Sequence, residues 1–193
     1  MGNLRSVLNA LERLEAKAEL VDSAERVEGH EKLVLPGVGA FGDGMANLRE
    51  RGFADALPQL VVDGTPLLGI CLGMQLLASC GTEHGDHEGL GLIAGSVERL
   101  NPGDGLRVPH VGWNSVEALK DSSLLKGAAE EPTFYFVHSY EFRADDPESI
   151  SGTTPYGRPV NACVEVDNVY GVQFHPEKSQ RDGLALLKNF IEL

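Results

Sequence analysis

A cysteine flanked by glycines is the feature of this sequence best suited to carry chemistry. Gly69-Ile70-Cys71-Leu72-Gly73 joins the apolar run 67–70, which predicts a strand, to a helical pattern over 72–79. A tight turn of this kind holds a nucleophile at the carboxyl edge of a sheet, and the glycines keep neighbouring Cβ atoms clear of it. The following helix N-terminus favours a thiolate and leaves backbone N–H groups for an oxyanion. The alternative is a buried cysteine in a core strand, and the pattern alone does not separate the two.

A cysteine nucleophile needs a proton-transfer partner, and His175 is the best placed of the six histidines. It follows the predicted strand 170–174 and precedes Pro176-Glu177. Residues i and i+2 of an extended segment project to the same side, so Glu177 is placed to orient the imidazole while its other nitrogen faces Cys71. Alone, the His-Pro-Glu segment is equally typical of a surface turn.

The loop after a second predicted strand is rich in glycine. Gly37-Val38-Gly39 lacks the Gly-Lys-Ser/Thr ending of a phosphate-binding loop. We expect it to point a backbone N–H at a developing oxyanion beside the nucleophile. The two glycines would also allow the peptide at Val38 to turn over, which would switch the site; the alternative is an ordinary loop.

Other candidates carry weaker signals. Residues 84–88 include metal-ligand types, but a solvated glycine-rich loop explains them better, and no metal or other cofactor is expected. Cys80 and Cys163 have no partner signal and are expected to be core or near-surface thiols. Trp113 is the only tryptophan, and it is either a core anchor or an interface anchor.

Helices and strands alternate in the first half of the chain, which predicts parallel βαβ units. The patterns predict a helix over 4–17 capped by Asn3, strands at 18–21 and 32–35, and helices near 43–51 and 54–63. The second half is dominated by strand-like runs at 92–100, 113–117, 134–137, 140–143, 160–166 and 169–174, with a hairpin turn at Asp167-Asn168. A final helix over 181–191 carries a capping-box spacing at Ser179 and Asp182.

Length and charge exclude several classes of function. The chain has 193 residues, which predicts one domain, and its formal charge is −13, which argues against nucleic-acid and anionic membrane partners. No run is long enough for a spanning helix, and there is no signal peptide. Three scattered cysteines do not form a disulfide framework, so we expect a reduced, cytoplasmic protein.

Taken together, P-G-V-G-A-F, G-I-C-L-G-M-Q, V-H-S-Y and H-P-E resemble the motifs of the class I (triad) glutamine amidotransferases, in the same order and over nearly the whole chain. The resemblance implies one amidotransferase domain over 1–193. Its fold would be α/β and flavodoxin-like, with a mixed, mostly parallel sheet flanked by helices and an added antiparallel region in the C-terminal half.

The resemblance also implies a role for each site residue. Cys71 would attack the side-chain amide of L-glutamine, His175 would act as general base and acid, and Glu177 would orient it; a thioester and ammonia form, and water releases glutamate. The Leu72 N–H and one from Gly37–Gly39 would form the oxyanion hole. The residues matching the substrate-binding positions are Gln75, Glu83, Ser139 and Tyr140.

Within the family, four segments most closely resemble the branch that serves imidazole glycerol phosphate synthase in histidine biosynthesis: 1–7, 36–45, 108–114 and 175–179. This implies a heterodimer with a (β/α)₈-barrel cyclase that receives the ammonia, with Asn3, Trp113 and Lys178 at the interface. We expect weak glutaminase activity for the isolated chain. Two alternatives are the glutaminase branch of pyridoxal phosphate synthesis and a non-catalytic, flavodoxin-like redox sensor that uses Cys71.

One expected element of the family is missing. Its members begin with a short apolar strand ahead of the Met-Gly-Asn that opens this sequence, about five or six residues long. Either the true start lies upstream, which we favour, or the chain tolerates a gap beside the Cys71 strand, where unpaired backbone groups would be costly.

Overall fold

The computed structural model describes residues 4–103 and 105–193. The helices are α1 (Leu4–Arg13), α2 (Phe41–Glu50), α3 (Phe53–Val62), α4 (Leu72–Leu76) and α5 (Gln180–Ile191). The strands are β1 (Leu33–Gly37), β2 (Leu67–Cys71), β3 (Cys80–Gly81), β4 (His87–Glu88), β5 (Gly95–Arg99), β6 (His110–Ser115), β7 (Glu117–Ala118), β8 (Thr133–His138), β9 (Tyr140–Ala144), β10 (Ile150–Pro155), β11 (Pro159–Val166) and β12 (Val169–Val172). No helix in the described ranges has the length and apolar character needed to cross a bilayer.

The central sheet has the strand order β1-β2-β12-β11-β10-β7. Pairing is parallel between β1, β2 and β12 and antiparallel from β12 to β7. The predicted α/β class and the antiparallel C-terminal region are thus confirmed, with the parallel pairing confined to the strands that carry the site. In the parallel register Gly37 lies opposite Cys71 and Val172 lies opposite Ile70, so three carboxyl ends meet at one edge.

Helices cover both faces of this sheet because its central strands bury side chains on each side. Leu68 and Ile70 of β2 pack with the apolar stripes of α1 and α5. Leu67 of the same strand packs instead with buried side chains of α2, α3 and α4. The alternation of β2 therefore divides the interior into two hydrophobic clusters, as expected for a parallel strand that is buried on both faces.

Two smaller sheets lie beside the central one. One has the order β4-β3-β5-β9, and the other is the antiparallel pair β6-β8. The chain passes from β8 to β9 through Ser139 alone, which places that residue where two different sheets diverge.

The first 30 residues depart from the sequence-based expectations. Helix α1 ends at Arg13 rather than at 17, and Glu15 has a left-handed φ of 60°. The predicted strand at 18–21 is absent. Among the described residues, β1 pairs only with β2, so a strand at 18–21 has no neighbour that could satisfy its backbone. The proposed helix cap Asn3 lies outside the described residues.

The less favoured alternative, a gap beside the Cys71 strand, is wrong, because β2 pairs with β1 on one edge and with β12 on the other. Strand β10, which pairs with β11, had no strand prediction. The hairpin turn between β11 and β12 is confirmed, with Val166 opposite Val169 and a left-handed φ of 50° at Asp167.

The capping box predicted for the last helix is not formed. Although Ser179 precedes α5, its hydroxyl accepts from the backbone N–H of Tyr135 at 3.0 Å and donates to the carbonyl of His175 at 2.6 Å instead of capping the helix. The carboxylate of Asp182 accepts from the backbone N–H of Thr133 at 3.0 Å. Both side chains are thus engaged by tertiary contacts, which compete successfully with local capping.

Candidate active site

Cys71 lies on a strained turn between β2 and α4, as its flanking glycines predict. Its φ of 56° and ψ of −111° are rare for a residue with a side chain. A Cβ on Gly69 would lie 2.6 Å from the carbonyl oxygen of Gly73, and one on Gly73 would overlap the carbonyl oxygen of Leu35. Glycine is therefore required at both positions, because position 69 packs against the backbone of α4 and position 73 packs against the backbone of β1.

His175 lies three residues beyond the end of β12, and its imidazole is directed by a carboxylate. Its Nδ1 lies 2.8 Å from Oε1 of Glu177, and both side chains are essentially buried. The histidine backbone is fixed as well, since its N–H donates to the Tyr135 carbonyl at 2.9 Å and its carbonyl accepts from Ser179. The expected i, i+2 pairing is therefore present, on the 3₁₀ turn Pro176–Lys178.

The two partners of His175 set its protonation. Burial by itself lowers the pKa of His175, but hydrogen bonds with Cys71 and Glu177, and the negative charge of each, outweigh it and raise the pKa to about 9. The imidazole is thus held as a cation at neutral pH between the sulfur and the carboxylate. This arrangement is suited to a thiolate–imidazolium pair.

A cavity of about 360 Å³ opens over Cys71 and His175. It is lined by Val38, Gly39, Cys71, Leu72, Gln75, Glu83, Pro109, Val137, His138, Ser139, Tyr140 and His175. All four residues predicted to bind substrate are among them, as are Val38, Gly39 and Leu72 of the predicted oxyanion hole. Gly37 does not line the cavity; it lies in β1 opposite Cys71.

Two of the predicted substrate-binding side chains have defined contacts. The amide nitrogen of Gln75 donates to the Tyr140 carbonyl at 3.1 Å and to Oε1 of Gln173 at 3.0 Å. Glu83 accepts through Oε2 from the backbone N–H of Phe41 at 2.8 Å. Since Phe41 begins α2, this carboxylate stands at a helix N-terminus directly after the loop that holds Val38 and Gly39.

Gln173 was missed by the sequence analysis. It is fully buried, and its amide nitrogen lies 3.9 Å from Sγ of Cys71. The signal was available, because Gln173 precedes His175 by two residues on the same extended segment and so projects to the same side.

A second pair of buried histidines lies beside the cavity. His110 on β6 and His138 on β8 are directly opposite in the ladder, with Nδ1 of His110 at 3.1 Å from Nε2 of His138. Burial lowers the pKa of His110 to about 4. For His138, burial and the charges of His110 and His175 outweigh the hydrogen bond to the Tyr140 carbonyl and lower the pKa to about 4. Sequence reasoning did not single out either residue.

The outer face of the β6-β8 pair is apolar and exposed. Trp113 is half exposed and makes an edge contact with Tyr135, at 6.1 Å between ring centroids. The Lys178 ammonium lies 5.9 Å from the centroid of the same tyrosine ring, and Val111 and Val137 are exposed nearby on the paired strands. The core-anchor interpretation of Trp113 is therefore wrong. Asn3, the other residue assigned to an interface, lies outside the described residues.

The remaining candidates lie outside the triad. In the 84–88 loop, Nε2 of His87 lies 3.1 Å from the carbonyl oxygen of Glu83, and the described residues contain no cluster of three metal-ligand side chains. All three cysteines are free thiols. Cys80 is exposed, whereas Cys163 is buried, and burial together with the charge of Glu165 raises the pKa of its thiol.

Comparison with known proteins decides the family. Residues 1–193 match the family model described as glutamine amidotransferase class-I. The chain belongs to the class-I glutamine amidotransferases. Among its class-I relatives, a protein of Desulfitobacterium hafniense named imidazole glycerol phosphate synthase subunit HisH is 48% identical over 189 residues, covering 98% of this chain and 89% of the relative. A Wolinella succinogenes protein of the same name is 46% identical, covering 100% of this chain and 96% of the relative.

A solved structure supports the class-I fold. The chain is similar to a crystal structure of a glutamine amidotransferase with a TM-score of 0.78 at 25% identity, over 99% of this chain and 93% of that one. The flavodoxin-like arrangement expected from the motifs is thus the class-I amidotransferase fold.

Proposed function

We propose that this chain is the glutaminase subunit of an imidazole glycerol phosphate synthase. It hydrolyses L-glutamine through a Cys71 thioester and passes the ammonia to a (β/α)₈-barrel cyclase subunit. The observation that carries the proposal is a cysteine on a strained elbow that shares one cavity with a buried His175–Glu177 pair. The names of the relatives support the histidine-pathway branch over that of pyridoxal phosphate synthesis.

The first half of the reaction uses the sulfur and the imidazolium. The Cys71 thiolate attacks the carbonyl carbon of the glutamine side-chain amide, and a carbon–sulfur bond forms as the carbonyl π-electrons move to oxygen. The Leu72 N–H and an N–H of the Gly37–Gly39 loop stabilise that oxyanion. His175 donates its proton to the departing nitrogen, the carbon–nitrogen bond breaks, and ammonia and the thioester result.

The second half reverses the proton transfer. His175, now neutral, accepts a proton from water, and the hydroxide attacks the thioester carbon. Collapse of the second tetrahedral intermediate breaks the carbon–sulfur bond, which releases glutamate and restores the thiolate beside the imidazolium. Glu177 keeps the Nδ1 side of the ring occupied throughout, so the other nitrogen faces the reacting atoms.

The cavity wall binds the amino-acid end of glutamine. Glu83 supplies a carboxylate for the substrate ammonium, and Gln75, Ser139 and Tyr140 supply polar contacts. Glu83 also accepts from the first N–H of α2, which directly follows the oxyanion loop. Binding of the substrate ammonium to Glu83 would therefore affect a contact that holds this loop.

The cyclase would cover the exposed face formed by Val111, Trp113, Val137 and Lys178, with Asn3 as a further contact. An aromatic residue half exposed among apolar neighbours is typical of an interface centre. A sealed interface keeps released ammonia from solvent, so turnover by the isolated chain should be weak.

Glutamate formation by the complex with the cognate cyclase and its ribonucleotide ligand tests the proposal. Cys71→Ala should lower turnover by at least about 10³-fold, and a thiol-alkylating glutamine analogue should label Cys71. Cys80→Ala, which removes an exposed thiol, is the matched control and should retain full turnover. Unchanged turnover by Cys71→Ala would contradict the triad, and activation by a pyridoxal phosphate synthase barrel instead of the cyclase would contradict the pathway.

A further inference from the structure

A continuous line of buried and part-buried polar groups runs from β6 to the nucleophile. It begins at Asn114 on β6 and passes through His110 and His138 to the Tyr140 carbonyl, at separations of 3.3, 3.1 and 2.8 Å. The two histidines are only 2% and 6% exposed. The ring of His110 is also stacked between Phe136 and Tyr156, with centroids at 4.7 and 4.0 Å, which fixes its plane.

The proton on each ring nitrogen follows by elimination. A carbonyl oxygen only accepts, so Nδ1 of His138 carries the hydrogen that points at Tyr140. A neutral His138 then accepts at Nε2, which requires Nδ1 of His110 to donate. Nε2 of His110 is left to accept from the amide nitrogen of Asn114. The direction of that amide is independently set, since its nitrogen also donates to the Pro155 carbonyl at 2.7 Å and its oxygen accepts from the Ser115 N–H at 3.0 Å.

Every donor and acceptor in this line is satisfied only when both rings are neutral. A proton added to His138 would place two donors against each other at the 3.1 Å contact with His110, and a proton added to His110 would do so at the 3.3 Å contact with Asn114. The low pKa of about 4 for each ring agrees with this assignment.

The line continues to the reacting sulfur. The Tyr140 carbonyl accepts hydrogen bonds from both His138 and Gln75. The amide nitrogen of Gln75 also donates to the side-chain oxygen of Gln173. The amide nitrogen of Gln173 in turn faces Sγ of Cys71 at 3.9 Å. Tyr140 and Gln75 both line the cavity, so the hydrogen bonds from His138 and Gln75 meet at a residue of the cavity wall.

We propose that His110 and His138 are positioning residues for glutamine hydrolysis. As a neutral pair with a fixed direction of hydrogen bonding, they hold the Tyr140 carbonyl in place. That carbonyl in turn holds Gln75 and the cavity wall at Ser139 and Tyr140 in position relative to Cys71. The inference rests on the proposed function. His110 does not line the cavity, and it acts through His138. The pair acts on Gln75 and on the cavity wall that holds the substrate, so its loss should impair glutamine binding more than the chemical steps.

The test compares variants that remove single links. His110→Phe keeps the stacked ring but leaves Nε2 of His138 without its donor, and His138→Phe removes the contact to Tyr140. His138→Asn retains a donor near the position of Nδ1 and should partly rescue binding. Thr154→Val is the matched control, because it removes a part-buried hydrogen bond from β10 to the Ser115 carbonyl of β6 and leaves every donor and acceptor of the line in place.

The readout is KM and kcat for glutamine, measured in the complex with the cognate cyclase, together with the melting temperature of each variant. His110→Phe should raise KM about tenfold, the scale of one lost buried hydrogen bond, with a smaller change in kcat. Thr154→Val should lower the melting temperature similarly and leave KM unchanged. If the wild-type complex is active and His110→Phe and Thr154→Val have equal KM values, the inference is overturned. The proposed function would remain intact in that case.

Nitrogen-15 NMR of the imidazoles provides a second readout that needs no turnover. At neutral pH both rings should be neutral and protonated at Nδ1. An imidazolium or an Nε2–H tautomer at either residue would overturn the inference. Failure of the wild-type complex to hydrolyse glutamine would instead overturn the proposed function.

Discussion

At the scale of single residues, two buried histidines border the same cavity and have pKa values shifted in opposite directions. His175 faces a carboxylate and a sulfur, and its pKa rises to about 9. His138 faces a carbonyl oxygen and a neutral ring, and burial lowers its pKa to about 4. Burial disfavours the cation in both, so the anionic partners decide which ring is charged. In the proposed mechanism, the acid that protonates the departing nitrogen is therefore His175 and not His138.

This difference predicts how His175 titrates. In the wild type it should remain protonated at neutral pH and lose its proton as the pH rises through about 9. Cys71→Ala and Glu177→Gln should each lower its pKa, because each removes a negatively charged partner and leaves the effect of burial. Above the wild-type pKa, kcat should fall, since the ring no longer carries the proton for the leaving nitrogen.

Imidazole NMR titration of the three proteins measures these shifts. His30 is the internal control, because its pKa is raised by contacts to the Val27 carbonyl and Glu19, remote from both substitutions. A His175 that titrates identically in all three proteins would contradict the proposed coupling.

The sequence alone predicts part of the site at this scale. The Cys71 elbow and the His175–Glu177 pair follow from local rules, glycine spacing and i, i+2 projection, and the geometry matches both. The pairing of His110 with His138 does not, because the two residues are 28 positions apart and meet only through the register of β6 and β8. Non-local pairing of this kind leaves no local sequence pattern.

At the scale of elements, the elbow at Cys71 depends on close packing between β1 and α4. Gly73→Ala should lower the free energy of unfolding by at least about 3 kcal/mol, since its Cβ would overlap the Leu35 carbonyl and force β1 and α4 apart. Gly64→Ala is the control: Gly64 follows α3, has a φ of +97°, and has open space around it. Backbone strain alone should cost that variant about 1–2 kcal/mol. Urea unfolding measures both, and equal losses would contradict the close approach.

Strands and helices were predicted correctly where a single local sequence pattern determines them. The hairpin at Asp167-Asn168 and helices α2 and α3 each depend on local turn or periodicity signals, and they are present within a few residues of the predicted bounds. The strand at 18–21 failed because an apolar run becomes a strand only beside another strand. Ser179 failed as a cap because its hydroxyl accepts instead from the Tyr135 N–H, which the fold brings near on β8.

At the scale of the whole molecule, the same small sheet serves the cavity on one side and solvent on the other. Alternation along β6 directs His110 inward and Val111 and Trp113 outward, and β8 repeats this with His138 inward and Val137 outward, where Val137 also borders the rim of the cavity. A partner seated on the outer side would therefore contact the same two strands whose inner side chains support the cavity wall. This arrangement gives a short physical route between binding of a partner and the geometry of the site.

The outer side leads to a prediction about assembly. Trp113→Ala should weaken binding of the cognate cyclase by about 30-fold or more, because a half-exposed tryptophan among apolar neighbours is the side chain on this face with the most apolar area to bury. Val62→Ala, which truncates a residue that is 79% exposed on α3, is the matched surface control and should bind as the wild type does. Calorimetric titration measures both affinities, and circular dichroism establishes that each variant is folded. If Trp113→Ala binds the cyclase with wild-type affinity, the partner does not use the exposed face of β6 and β8, and the interface must be sought elsewhere on the molecule.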